Sequence, residues 1–115
     1  MDDNCLFCKI IKGEVDSTKV YEDDFICAFN DIQKVAPVHV LIVPKIHIES
    51  TNEITKENVE YISKIYEKIP EIAKKLGIYD TGYRIICNCG TDAGQLIKHL
   101  HFHLVGGKKL GDKII

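Results

Sequence analysis

The sequence predicts an α+β fold: a five-stranded antiparallel sheet with a short N-terminal helix and one long helix. Three observations predict it. Short β-rich runs are bracketed by turn residues and prolines. One stretch, residues 56–76, repeats apolar residues at intervals of three and four. Residues 99–105 (HLHFHLV) alternate histidine with apolar residues, which is the period of a strand.

Residues 5–12 (CLFCKIIK) read as a short helix closed by Gly13. Val20 to Glu22 starts a strand, Glu22-Asp23-Asp24 has turn chemistry, and Phe25 to Asn30 is its hairpin partner. Val38 to Val43 is a third strand, with Pro37 and Pro44 expected just outside it, where they cost no ladder hydrogen bond. Residues 46–53 read as irregular or as a short helix. In the long helix, Val59, Ile62, Ile65, Ile69, Ile72 and Leu76 make one apolar stripe. Thr55 is placed to cap its start and Gly77 its end, and Pro70 inside it predicts a kink. Tyr83 to Cys87 reads as a fourth strand and His99 to Val105 as a fifth.

The 115 residues suit one domain spanning 1–115, and a chain of this size buries a small core that a metal or a partner subunit would help to stabilise. The mixed charges, net −2, resemble no basic nucleic-acid footprint. No apolar run approaches the ~20 residues that span a bilayer, so neither nucleic acid nor membrane is expected as a partner. The acidic start Met1-Asp2-Asp3-Asn4 lacks the features of a secretory signal, and five cysteines do not read as a disulfide framework. A cytoplasmic setting is expected.

In a strand, His99, His101 and His103 would share one face, with Leu100, Phe102 and Leu104 on the other. Near neutral pH an imidazole can accept, donate or carry charge. Transfer at phosphorus needs a nucleophile, a proton donor and donors to the phosphate oxygens, and a row of imidazoles supplies all three. The same spacing also suits zinc ligation, so the triad by itself leaves catalysis and metal binding open. The preceding loop, Asn88-Cys89-Gly90-Thr91-Asp92-Ala93-Gly94-Gln95, can turn backbone N–H groups toward an anion, with Asn88 and Gln95 as amide donors. That favours an anion site over an ordinary surface turn. Cys5-x-x-Cys8 has the spacing of a metal clip, or is a pair of free thiols. Cys27, Cys87 and Cys89 suggest no role.

These residues resemble the histidine triad (HIT) family, whose motif alternates three histidines with apolar residues. The resemblance covers nearly the whole chain. It includes Cys5 to Glu14, Ala28 to Ile32, Pro37 to Ile48, and the Gly94-Gln95 and Gly106-Gly107 pairs that flank the triad as in the family's HINT branch. It implies a HIT-like fold in a homodimer whose sheets join, and hydrolysis of purine nucleoside phosphoramidates at the α-phosphorus. By the same matching His101 is the nucleophile, and His103 and His39 are catalytic residues beside the phosphate. Asn88 and Gln95 touch the phosphate, and Asp31 holds the ribose. Leu6, Phe7, Ile10, Phe29, Ile32 and Leu41 form the slot for the base. The resemblance further implies a structural zinc on Cys5, Cys8, His47 and His99, with no cofactor required for catalysis. The chain departs from the branch at Leu96, where a serine commonly follows Gly-Gln, and it has no tryptophan-containing tail. A dinucleoside polyphosphate hydrolase and a non-catalytic nucleotide-binding module are the alternatives. Gly106-Gly107 speaks against the first, and Leu96 keeps the second open.

Overall fold

A computed structural model describes residues 2–115. The helix α1 (Leu6–Lys12) opens with Cys5 as its cap, whose Sγ accepts from the Cys8 N–H at 3.4 Å. It closes at Gly13, whose φ of 80° is left-handed. Strands β1 (Lys19–Glu22) and β2 (Ile26–Asn30) form the expected hairpin. Its turn is held by the Asp23 carboxylate, which accepts from the N–H groups of Phe25 and Ile26.

Strand β3 (Val38–Pro44) includes Pro44, paired with Ile26, so that proline closes the strand rather than lying beyond it. A 3₁₀ turn follows at Thr51–Glu53, and α2 runs from Val59 to Lys75. The start of α2 differs from expectation. Asn58 is its cap residue, and Thr55 instead bonds with Asn58 and Glu57 in the turn ahead of it. Its end is as expected: Gly77 N–H donates to Lys74 C=O and Ile78 N–H to Ala73 C=O, the Schellman pair. Pro70 sits inside α2 without interrupting it. The last strands are β4 (Tyr83–Ile86) and β5 (Phe102–Gly106).

The sheet is antiparallel throughout, in the order β1-β2-β3-β5-β4. Alternation along the strands divides the interior in two. Ile26, Ala28, Val40, Ile42, Phe102 and Leu104 join Ile65, Ile69 and Ile72 of α2 in one core. Cys27, Phe29, Leu41 and Val43 point the other way and pack with Phe7, Cys8 and Ile10 around α1. The second face carries the histidines. No helix among the described residues is long and apolar enough to cross a membrane.

A candidate active site and its neighbouring metal-ligating group

The triad is less regular than a continuous strand. His99, Leu100 and His101 precede β5, which begins at Phe102. Ladder pairing stops at Ile42–Phe102 on the β3 side and at Ile86–His103 on the β4 side. Two pairs further on the β3 partner would be Pro44, which has no N–H to donate. Leu100 N–H donates instead to Ile48 C=O at 2.6 Å. The alternation nevertheless persists: Leu100, Phe102 and Leu104 enter the α2 core, whereas the His99 and His101 rings pack against Phe7.

Hydrogen bonds to carbonyls differentiate the imidazoles. His101 Nδ1 lies 2.7 Å from His99 C=O. A carbonyl only accepts, so Nδ1 carries the proton and the Nε2 lone pair is free. His99 is turned the other way, with Nε2 donating to Pro44 C=O at 3.0 Å and Nδ1 left as a lone pair. His39 Nδ1 accepts from Val35 N–H at 3.2 Å, so its proton is on Nε2. That proton faces His103 Nδ1 at 2.9 Å and Asp31 Oδ2 at 3.3 Å. His103 Nδ1 therefore accepts, which leaves an N–H on its Nε2. Burial lowers the His101 pKa, and burial pushes His103 down to about 4, with the neighbouring His101 and His39 adding to the effect. Both rings are thus neutral near pH 7.

His101 and His103 line a cavity of about 400 Å³. Leu6, Phe7, Ile10, Phe29, Ile32, Leu41, Asp31 and Asn88 line it too, so most of the expected site residues converge there. His39 does not reach it and stands buried behind His103. Gln95 is also absent from its lining. Its amide is occupied by the loop, accepting from Gly90 N–H and donating to Glu49 C=O and Ile97 C=O. The expected side-chain contact of Gln95 with phosphate therefore lacks a free amide donor, because that amide shapes the loop. Ile32 and Leu96 form an apolar rim, 96% and 88% exposed.

Val15, Asp16, Ser17, Asn30, Gln33, Gly94, Leu96 and Ile97 complete the lining. Gly94 belongs to the loop read from the sequence as an anion site, and Leu96 to the position after Gly-Gln marked as a departure from the HINT branch; sequence reasoning missed the others as cavity residues. Asn30 adjoins Asp31 and was within reach of inference. Val15 to Ser17 carry no motif and enter only because the α1–β1 connection folds back along β2.

Below the triad, Cys5, Cys8, His47 and His99 form a second cluster, with one ligand atom from each within 4.8 Å of the others. His99 Nδ1 is 3.3 Å from Cys5 Sγ and 3.5 Å from Cys8 Sγ, and His47 Nδ1 is 3.4 Å from Cys8 Sγ. Tetrahedral ligands at Zn–S ~2.3 Å and Zn–N ~2.0 Å are separated by roughly 3.5 Å, so the spacing fits a four-coordinate ion. Both sulfurs are buried free thiols, and both imidazoles direct an Nδ1 at them. These four residues could hold a metal ion.

The family described as scavenger mRNA decapping enzyme C-term binding matches residues 4–113. The purine nucleoside phosphoramidase of Escherichia coli K12 is 40% identical over 96% of this chain and 93% of its own length.

The chain belongs to the histidine triad family.

Its likeness to solved members is close over the full length. A HIT family hydrolase from Clostridium thermocellum is 49% identical, covers all of both chains and superposes with a TM-score of 0.97. A histidine triad protein from Clostridium difficile is 50% identical over 98% of each chain, with a TM-score of 0.95. The α+β fold with its open five-stranded sheet is theirs, and this chain is a histidine triad hydrolase.

Proposed function

We propose that this single-domain cytoplasmic hydrolase cleaves purine nucleoside 5′-phosphoramidates at the α-phosphorus through a nucleotidyl intermediate on His101. The observation that carries the reading is the bond from His101 Nδ1 to His99 C=O, which leaves a neutral Nε2 lone pair on a ring that lines the cavity. A nucleophile at phosphorus needs that free lone pair. The name of the Escherichia coli relative supplies the substrate class.

In the proposed reaction His101 Nε2 attacks phosphorus, the P–N bond breaks, and the amine leaves with a proton taken from solvent. Water then attacks phosphorus, the bond to His101 Nε2 breaks, and the nucleoside monophosphate leaves with the water oxygen while a proton returns to solvent, restoring His101. His103, with its Nε2–H held by the chain through His39, faces the developing charge on the phosphate oxygens. Asn88 serves as a further phosphate donor. The Asp31 carboxylate suits the ribose diol, and the apolar lining suits a flat base. Zinc is the metal proposed for Cys5, Cys8, His47 and His99. Its contribution there is structural, since all four ligands come from protein and no position stays open for substrate. A homodimer completes the proposal.

The test is release of amine and nucleoside monophosphate from adenosine and guanosine phosphoramidates, beside a diadenosine polyphosphate and a His101→Ala control. Turnover of the phosphoramidates by wild type, lost in the variant, is expected, together with a mass increase of one nucleotidyl group on quenched wild type. Preferential cleavage of the polyphosphate would move the substrate assignment. Equal, negligible turnover by wild type and variant would leave a binding module.

A further inference from the structure

The far end of the cavity is polar, and nothing in the function above uses it. Across the sheet the register sets His103 opposite Leu41, Leu41 opposite Phe29, and Phe29 opposite Lys19. Three ladder steps separate β5 from β1, roughly 14 Å between backbones. Asn30 N–H donates to Thr18 C=O at 3.0 Å, which brings residues 15–17 beside Asn30 and Asp31. A nucleotide whose phosphorus meets His101 and whose ribose meets Asp31 therefore directs the outer edge of its base at Val15, Asp16 and Ser17.

Asp16 lines the cavity, is exposed, and makes no ion pair or side-chain hydrogen bond among the described residues. Ser17 Oγ is buried and has no hydrogen-bond partner, alone among the buried side-chain polar atoms described. An unpaired hydroxyl costs free energy unless a ligand or water meets it. Ser17 also lines the cavity, and staggered rotamers about its Cα–Cβ bond give the hydroxyl three directions to choose from.

The outer edges of the two common purines differ in a way this pair discriminates. Guanine presents two adjacent N–H donors, N1 and N2, followed by the O6 acceptor. Adenine presents the N1 lone pair beside one amino group. A carboxylate only accepts and a hydroxyl can donate. We infer that Asp16, assisted by Ser17, makes this cavity select guanine over adenine nucleotides. In that arrangement Asp16 accepts from N1–H and N2–H, and Ser17 Oγ–H donates to O6. Adenine would set its N1 lone pair against the carboxylate and leave Ser17 without an acceptor. The inference rests on the nucleotide reading above and adds a base preference to it.

The test is equilibrium binding of GMP, IMP and AMP to the full chain by calorimetry, repeated with Asp16→Ala and Asp16→Asn. IMP keeps N1–H and O6 but lacks the 2-amino group. Wild type is expected to bind GMP roughly ten times more tightly than AMP, with IMP between, a modest ratio because Asp16 is solvated. Asp16→Ala should bring GMP to within about twofold of AMP without weakening AMP. A purely structural role for Asp16 would weaken all three alike, and that result overturns the inference. Equal binding of GMP and AMP by wild type, or a preference that survives both substitutions, also overturns it while leaving the hydrolase reading intact. Failure of all three nucleotides to bind would remove both.

Discussion

At the scale of single residues, the site works by assigning protons. Three imidazoles of one motif end in three different states because each meets a different partner. His101 gives its Nδ1 proton to a carbonyl, His99 gives its Nε2 proton to Pro44 C=O, and His103 accepts from His39. His39→Ala should therefore lower kcat by roughly tenfold to a hundredfold with a smaller change in KM, the usual cost of losing an outer partner that orients a working imidazole. Steady-state kinetics on a phosphoramidate would check it; an effect confined to KM would place His39 in binding alone. The depressed pKa of His103 also predicts a pH dependence. Its folded value is about 4, below the ~6.5 of an unfolded chain. Between these values the unfolded state holds more protons, so stability falls as pH drops from about 6.5 to about 4. Denaturant titrations at pH 7 and pH 5 should show the loss, and His103→Gln should lessen it. An unchanged loss in the variant would assign it to other groups.

At the scale of elements, α1 has two duties. Cys5 and Cys8 face His47 and His99, while Leu6, Phe7 and Ile10 line the cavity. The Phe7 ring stands edge-on to both His99 and His101, at centroid distances of 5.9 and 5.1 Å. An ion bound by the four ligands would tie this helix to the triad segment. Removing it by chelation, or through Cys8→Ser, should lower Tm by about 5 °C or more and raise KM for nucleotide. Calorimetry and elemental analysis check this; protein purified without chelator and free of metal would retire the zinc assignment. In α2, the C-terminal cap depends on Gly77 at φ 75°, where an added Cβ meets no atom within 4 Å. Gly77→Ala should thus cost about 1 kcal/mol by backbone strain alone, with Gly77→Asn costing less, as urea unfolding would show.

At the scale of the whole molecule, the sheet has two edges, β1 and β4. The β1 register shifts between Lys19 and Tyr21, an irregularity that blunts an edge for pairing. No register shift marks the β4–β5 ladder, so β4 is the edge through which the proposed homodimer would join its sheets. Sedimentation analysis should give twice the mass of the 13.0 kDa chain, and a monomer at micromolar concentration would refute it.

Local pattern was enough for much of this. The apolar stripe of α2, the Gly13 and Gly77 caps and the alternation of residues 100–104 are short-range signals, because helix and strand periods are properties of neighbouring residues. The start of α2 was not legible, since Thr55 and Asn58 are both competent caps and the turn's own hydrogen bonds chose between them. Nor was the start of β5, which depends on a proline in another strand. The sequence by itself determined the fold class, the histidine motif and the apolar residues and Asp31 that meet at the cavity. Only the tertiary structure decided which nitrogen of each histidine carries a proton, that the Gln95 amide is occupied by its own loop, and that Asp16 and Ser17 line the cavity. Those outcomes rest on partners far apart in the chain, such as Pro44 for His99, His39 for His103 and Asn30 for Thr18. Spacing along a sequence cannot encode the distance between such groups until the sheet has set their register.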